Sequence, residues 1–344
     1  MFHLSRFTFG ALCLIGIGLQ PVSPVAEQSS PVPRVAVGSK IAFASSRDGN
    51  WEIYVMDADG RHQTRLTRRE PQDRFPLWSP DQSKIAFGSQ VGGVQWELWV
   101  MDADGTNARR LCSRIVAKGF RQWSPDGTRI VLAATTDGNI EIFSVQVDNG
   151  RLTRLTNSAG DDRDPSWSPD GTRITFSSKR DGNSEIYVMR ADGSAVRRLT
   201  NNAADDGSPV WSPDGSVIAF VSGRDDSRDI YLVRPDGGRL DRVTVGGRVT
   251  NDMPHWSPDG SRLAVQTARD GNYDIELVRI AGHERLPLAA TPAFDGQYSW
   301  SPDGARLAFI SARDGFEAVF VTDADGKRPQ RLTASMSLNP AWSP

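Results

Sequence analysis

The sequence predicts an all-β fold, a seven-bladed β-propeller of four-stranded antiparallel blades, closed by a C-terminal strand that completes the first blade. Three observations predict it. Trp-Ser-Pro recurs at Trp78, Trp123, Trp167, Trp211, Trp256, Trp300 and Trp342, at intervals of 45, 44, 44, 45, 44 and 42 residues, and a fixed period of this length marks stacked supersecondary units. The strands between them are apolar on both faces, as in Ile53-Tyr54-Val55-Met56, so both faces must be covered by neighbouring blades. The array starts on a second strand, Lys40-Ile41-Ala42-Phe43, and finishes on a lone first strand, Asn339-Pro340-Ala341-Trp342. Pairing the two gives seven complete blades and removes two open sheet edges.

Before the array, residues 1–26 read as a cleaved secretory signal peptide: Arg6, an apolar run from Phe7 to Leu19, then polar sequence with cleavage after Ser23 or Ala26. That run is too short to span a bilayer, and no later stretch approaches eighteen apolar residues. Cys13 sits inside the run after Gly10-Ala11-Leu12, so lipid anchoring is not expected, and Cys112 is left without a disulfide partner. Residues 27–38 are a Pro/Ser-rich tether and 39–344 the propeller. The expected location is the periplasm or the cell exterior.

Within each unit, the first strand ends at Trp-Ser-Pro and turns at Ser-Pro-Asp-Gly, as at Ser124–Gly127, where proline presets φ and glycine takes the left-handed position. An Ile-Ala-Phe-like second strand follows (Ile41–Phe43, Ile85–Phe87, Ile218–Phe220) and reverses at Arg-Asp-Gly-Asn, seen at Arg47–Asn50, Arg180–Asn183 and Arg269–Asn272. The third strand is Glu-Ile-Tyr-Val-Met-like (Glu52–Met56, Glu185–Met189) and the fourth Arg-Leu-Thr (Arg65–Thr67, Arg198–Thr200). Blade two departs most, with Val91-Gly92-Gly93-Val94 at the turn and Trp96 and Trp99 beyond it; Trp51 stands one unit before Trp96. Packing between blades is the expected role of these three.

The recurring Pro-x-Trp-Ser-Pro-Asp-Gly, Ile-Ala-Phe, Arg-Asp-Gly-Asn, Glu-Ile-Tyr-Val-Met, Ala-Asp-Gly and Arg-Leu-Thr segments resemble the WD40-like (PD40) repeats of TolB-type propellers. The likeness covers nearly the whole chain after residue 38. TolB itself carries a separate N-terminal α/β domain and six blades, so the resemblance is to its propeller standing alone. It implies a non-enzymatic, protein- or peptide-binding propeller of the bacterial envelope.

Composition narrows the partner. Forty Lys+Arg balance 42 Asp+Glu, for a net charge of −2 without a basic block, which argues against nucleic acid. A monomer that binds a protein or peptide is the expected state. Five residues before each tryptophan stand Asp73, Lys118, Asp162, Asp206, Asn251, Asp295 and Ser337, on loops that share one face with the Arg-Asp-Gly-Asn turns. Four carboxylates there suggest an acidic channel mouth suited to a cation or a basic or Ser/Thr-rich peptide, while each acid could also cap its own turn.

Other repeated residues have structural explanations. One tryptophan at the same place in every unit reads as packing. Asp-Ala-Asp-Gly at Asp57, Asp102 and Asp323 lacks the later ligands of a calcium loop. The acids opening the third strands (Glu52, Glu97, Glu141, Glu185, Asp229, Asp274) suggest ion pairs with turn arginines such as Arg47, Arg180, Arg224 and Arg269. Beyond residue 26, His62, His255 and His283 stand apart without a nucleophile motif, so no catalytic residue, metal or cofactor is expected. The alternative is a secreted carbohydrate-binding or oligogalacturonate-lyase-type propeller, an architecture that also uses seven blades.

Overall fold

Each repeat becomes a four-stranded antiparallel sheet because three tight reversals join four short apolar strands. The computed structural model describes residues 38–93, 95–115, 122–135, 138–225, 227–246, 254–269, 271–288 and 291–344. The expected signal peptide (1–26), residues 27–37 of the expected tether, Lys118 and Asn251 lie outside the described residues. All elements described are strands, and they form seven blades. Blade four shows the plan: Asp162–Trp167, Arg173–Ser178, Glu185–Arg190 and Arg197–Arg198, paired in that order. Most fourth strands are only two or three residues long, which keeps the outer edges short.

The ring closes as expected. Strand Ser337–Trp342 pairs with Lys40–Ser45, with Ile41 opposite Trp342 and Ser45 opposite Ser337. One feature departs from seven separate sheets: the fourth strand of blade two runs from Arg109 to Ile115, and Ile115 pairs with Ala134 of blade three. In blade three the described part of the first strand is only Gln122–Trp123, so blades two and three form one continuous sheet.

The core lies within and between blades. Phe43, Phe87, Phe176, Phe220 and Phe309 of the second strands are fully buried. Each meets the aromatic opposite it on the third strand at 5.7–6.4 Å: Tyr54, Trp99, Tyr187, Tyr231 and Phe320. Val131, Ala133 and Ile142 of blade three pack with Trp167, Ile174 and Phe176 of blade four, so the apolar strand faces are spent on the neighbouring blade. The repeated tryptophans take the packing role expected of them. Six are buried, and Trp78, Trp123 and Trp300 donate their indole N–H to Ala341, Leu77 and His255 carbonyls in the first strand of the preceding blade. These links set the first strands side by side around the central channel.

Candidate functional site

The face carrying the loops into the first strands is built on arginine–aspartate pairs. Asp73, Asp162, Asp206 and Asp295 each lie at the start of a first strand and are fully buried. Arg180 Nη2 donates to Asp162 Oδ2 at 2.9 Å, Arg224 Nη2 to Asp206 Oδ2 at 2.7 Å, and Arg313 Nη2 to Asp295 Oδ1 at 3.2 Å. Arg69 Nε lies 3.4 Å from Asp73 Oδ2. These carboxylates therefore do not form an open acidic funnel. A partner at the mouth meets them only through partly exposed guanidinium groups, and each charge is locally cancelled. Ser337, also buried, donates to the Ser335 carbonyl at 2.9 Å.

Arg180 and Arg224 thus pair with a different acid from the one their spacing suggested, and Arg47 donates to Gln63 Oε1 at 2.6 Å. Glu52, Glu141, Glu185 and Asp229 are instead held by the fourth-strand arginines Arg65, Arg154, Arg198 and Arg242, at 2.6–2.9 Å. The reason is register: Arg65 and Arg198 sit opposite Tyr54 and Tyr187, two residues past the acid. The threonine of Arg-Leu-Thr completes the set. Thr200 Oγ1 donates to Glu185 Oε2 at 2.6 Å and accepts from the Ile186 N–H at 2.9 Å. The turn arginine lies instead over the core aromatics. Arg180 is 4.8 Å from the Tyr187 ring and Arg224 4.7 Å from that of Tyr231, and from there each reaches the first-strand acid.

Blade two rebuilds this arrangement from another position. Its Val91-Gly92-Gly93 turn supplies no arginine, and Arg69 from the loop into the first strand takes the place, 3.6 Å over Trp99 and donating to Ser89 Oγ at 2.5 Å. Trp96 is buried against Phe75, with ring centroids 5.3 Å apart, and Trp51 lies under Arg74 at 4.3 Å.

Burial controls the charges. It pushes Asp73 up to about 6 and raises Asp162, Asp206 and Asp295 above the ordinary carboxylate value. Burial also opposes charge on Glu141, Glu185 and Asp229, yet hydrogen bonds from threonine and arginine together hold all three below it.

Two features of this face had escaped sequence reasoning. The asparagine of Arg-Asp-Gly-Asn anchors the loop into the next blade: Asn183 Nδ2 donates to the carbonyls of Asn202 at 3.2 Å and Ala204 at 2.6 Å, and Asn139 does the same to Ser158 and Gly160. Its recurrence one residue after the turn glycine was the available signal. The second is a bulge three residues before the tryptophan, where Phe75, Asp164, Ser208, Gln297 and Asn339 have φ between 47° and 58°. Non-glycine residues take this conformation at a cost. Here it turns the bulge toward the next blade. Asp164 Oδ2 accepts from the Ser208 N–H at 3.3 Å, and Gln297 Oε1 from the Asn339 N–H at 2.8 Å. Of these residues Gln297 is exposed, while Ser208 is buried and Phe75 packs on Trp96.

The PD40 family, described as the TolB beta propeller domain, matches residues 32–119, 116–197, 177–253 and 248–344. The chain belongs to this family. Among curated relatives of this PD40 chain, the Tol-Pal system protein TolB of Desulfosudis oleivorans is 38% identical over 69 residues, which is 20% of this chain and 16% of that protein. A TolB homolog of Chlorobaculum tepidum is 37% identical over 60 residues, 17% and 14% of the two chains. The matched segments are thus a small part of both relatives. Among solved structures, TolB from Acinetobacter baumannii aligns at TM-score 0.54 and 20% identity, covering 86% of this chain and 79% of that one. An oligogalacturonate lyase in complex with manganese aligns at TM-score 0.67 and 18% identity, covering 83% and 85%. At such identities the structural matches establish the fold alone.

The histidines of this PD40 propeller are dispersed. His62 is exposed beside Asp57 on the Asp-Ala-Asp-Gly turn of blade one, His255 packs edge-on to Tyr298 at 5.1 Å, and His283 lies on a turn of blade six. Among the described residues, no three His, Cys, Asp or Glu side chains are placed to hold a metal ion, and no helix is long and apolar enough to cross a membrane.

Proposed function

We propose that this PD40 propeller is a non-enzymatic scaffold of the bacterial cell envelope, acting outside the cytoplasm as a monomer. It holds a protein or peptide partner over the channel mouth defined by Asp73, Lys118, Asp162, Asp206, Asn251 and Asp295. The observation that carries this reading is the bulge before the tryptophans, where five positions strained in the same way carry five different side chains and Gln297 stands exposed. Repetition explains the strain and leaves the side-chain variety to recognition. Family membership and the Tol-Pal relative support an envelope setting for the chain. With the acids covered by arginine, the mouth suits a partner that brings mixed hydrogen-bonding groups, and net charge matters less.

The test uses exposed groups of this face and leaves the buried pairs intact. Arg163 is 44% exposed on its side chain, and Gln297 is exposed in its bulge. In pull-downs from envelope extract, Arg163→Ala/Gln297→Glu should lower recovery of the captured protein about tenfold while the protein stays folded, with a melt lowered by no more than about 4 °C from the lost Asp161 pair. Full recovery would take the partner off this mouth. The lyase-type reading draws on the alignment with the manganese-bound lyase; tight binding of manganese by purified protein, or saturable binding of a glycan, would favour it.

A further inference from the structure

A cavity lies on the opposite face, between blades five and six, where one side chain found elsewhere in the ring is missing. Six residues after the tryptophan, the second strands begin with Lys84, Arg129, Arg173, Val217, Arg262 and Arg306, and Lys40 holds the place in blade one. Where the cation is arginine, it can cover the tryptophan of the next blade: Arg129 lies 4.8 Å over Trp167, Arg173 4.7 Å over Trp211, and Arg306 5.5 Å over Trp342. Val217 cannot do this for Trp256. Alone among the seven, Trp256 is partly exposed, and a cavity of about 600 Å³ opens over it.

The walls of this cavity retain what holds a guanidinium elsewhere in the ring. Val217, Leu232 and Ile280 offer an apolar floor for a side-chain stem beside the indole. Asp214, from the Ser-Pro-Asp-Gly turn of the same blade, corresponds to Asp126 and Asp170, on which Arg129 and Arg173 act electrostatically. All three hydrogen bonds of the Asp214 carboxylate fall on Oδ1. Of the cations on the rim, Arg239 is paired with Asp241 at 2.8 Å. His283 also lines the rim, and Arg234 stands opposite the place of Val217. Arg190 stands likewise opposite Arg173, which still covers Trp211, so a cation at that position is compatible with a guanidinium over the ring.

We propose that this cavity receives an arginine side chain from a partner protein, its guanidinium stacking on Trp256 beside Asp214 where the chain's own arginine is missing. The site is independent of the channel mouth. The probe is N-acetyl-arginine amide, titrated into the 15N-labelled propeller while the indole N–H signal of Trp256, assigned with Trp256→Phe, is followed. A saturable shift with a dissociation constant on the order of 10 mM is expected for one cation–π contact and one carboxylate. N-acetyl-citrulline amide, the uncharged isostere, should bind at least tenfold more weakly, and Asp214→Asn should weaken the arginine probe severalfold. Val217→Arg should abolish binding and raise the melting temperature, because it restores the cover present in blades three and four. Equal binding of the citrulline probe, an unshifted Trp256 signal, or unchanged binding in a folded Val217→Arg would overturn the proposal. Should Val217→Arg fail to fold, the citrulline and Asp214→Asn arms decide alone.

Discussion

Trp167 is 2% exposed, with Arg129 on one face and the blade-three core on the other, and its indole N–H has no partner. Its contribution is therefore packing, and Trp167→Ala should cost about 3–5 kcal/mol, read as a lower urea midpoint at unchanged slope. Asp73 gives a prediction of the opposite kind. Its folded value of about 6 lies above the ordinary 3.8, so between these values the folded chain keeps a proton that the unfolded chain has released. Stability then rises as pH falls from 7 toward 4, by up to about 2–3 kcal/mol from this residue. Glu141, Glu185 and Asp229 act with the reverse sign: they are depressed in the fold, and their contribution disappears as pH falls through their folded values. Melting temperature should therefore peak at mildly acid pH. Asp73→Asn should flatten the limb between pH 7 and 5 while leaving the acid collapse; an unaltered limb would assign it to other groups.

The turns and strands differ in how much of them could be read from the chain. Arg-Asp-Gly-Asn announces a reversal because glycine and asparagine favour it locally, and a reversal is what forms at Arg180–Asn183. What Asn183 holds could not be read, since its partners lie 19 and 21 residues on and meet it only after two more strands have folded back. The same applies to Arg180: sequence distance favoured Glu185, but the folded sheet brings Asp162 to it and gives Glu185 to Arg198. The acidic mouth inferred from Asp162 and Asp206 failed for this reason, because composition along a loop does not report which side chains become covered. Asn183→Ala tests the anchoring role. It removes two hydrogen bonds to the loop before Asp206, should cost about 1–2 kcal/mol, and should speed amide exchange across residues 201–206 while Ile174–Phe176 keep their protection. Uniform acceleration would instead mean that the turn supports the whole blade.

At the scale of the molecule, the blade count was legible because it needs only arithmetic on the tryptophans and the identity of the first and last strands. The merging of blades two and three was not, since it depends on one bridge, Ile115 to Ala134, beyond the usual length of a fourth strand. Closure by residues from opposite ends of the sequence makes stability a property of the ring. Strand Ser337–Trp342 supplies the buried Trp342, whose ring lies under Arg306, and covers the edge of Lys40–Ser45. Without it, blade one presents an unpaired strand with a buried-type sequence, Ile41-Ala42-Phe43-Ala44, which is a template for pairing with another chain. Truncation after Ala334 should therefore lower the melting temperature by roughly 10 °C or more, given about 2–4 °C per kcal/mol for a domain of this size, and should produce dimers and larger species by size exclusion. A peptide of residues 335–344 added in trans should restore both the melt and the monomer, because it can refill the same edge with the same register. A truncated protein that stayed monomeric with an unchanged melt would show that the interfaces between blades hold the ring without its closing strand.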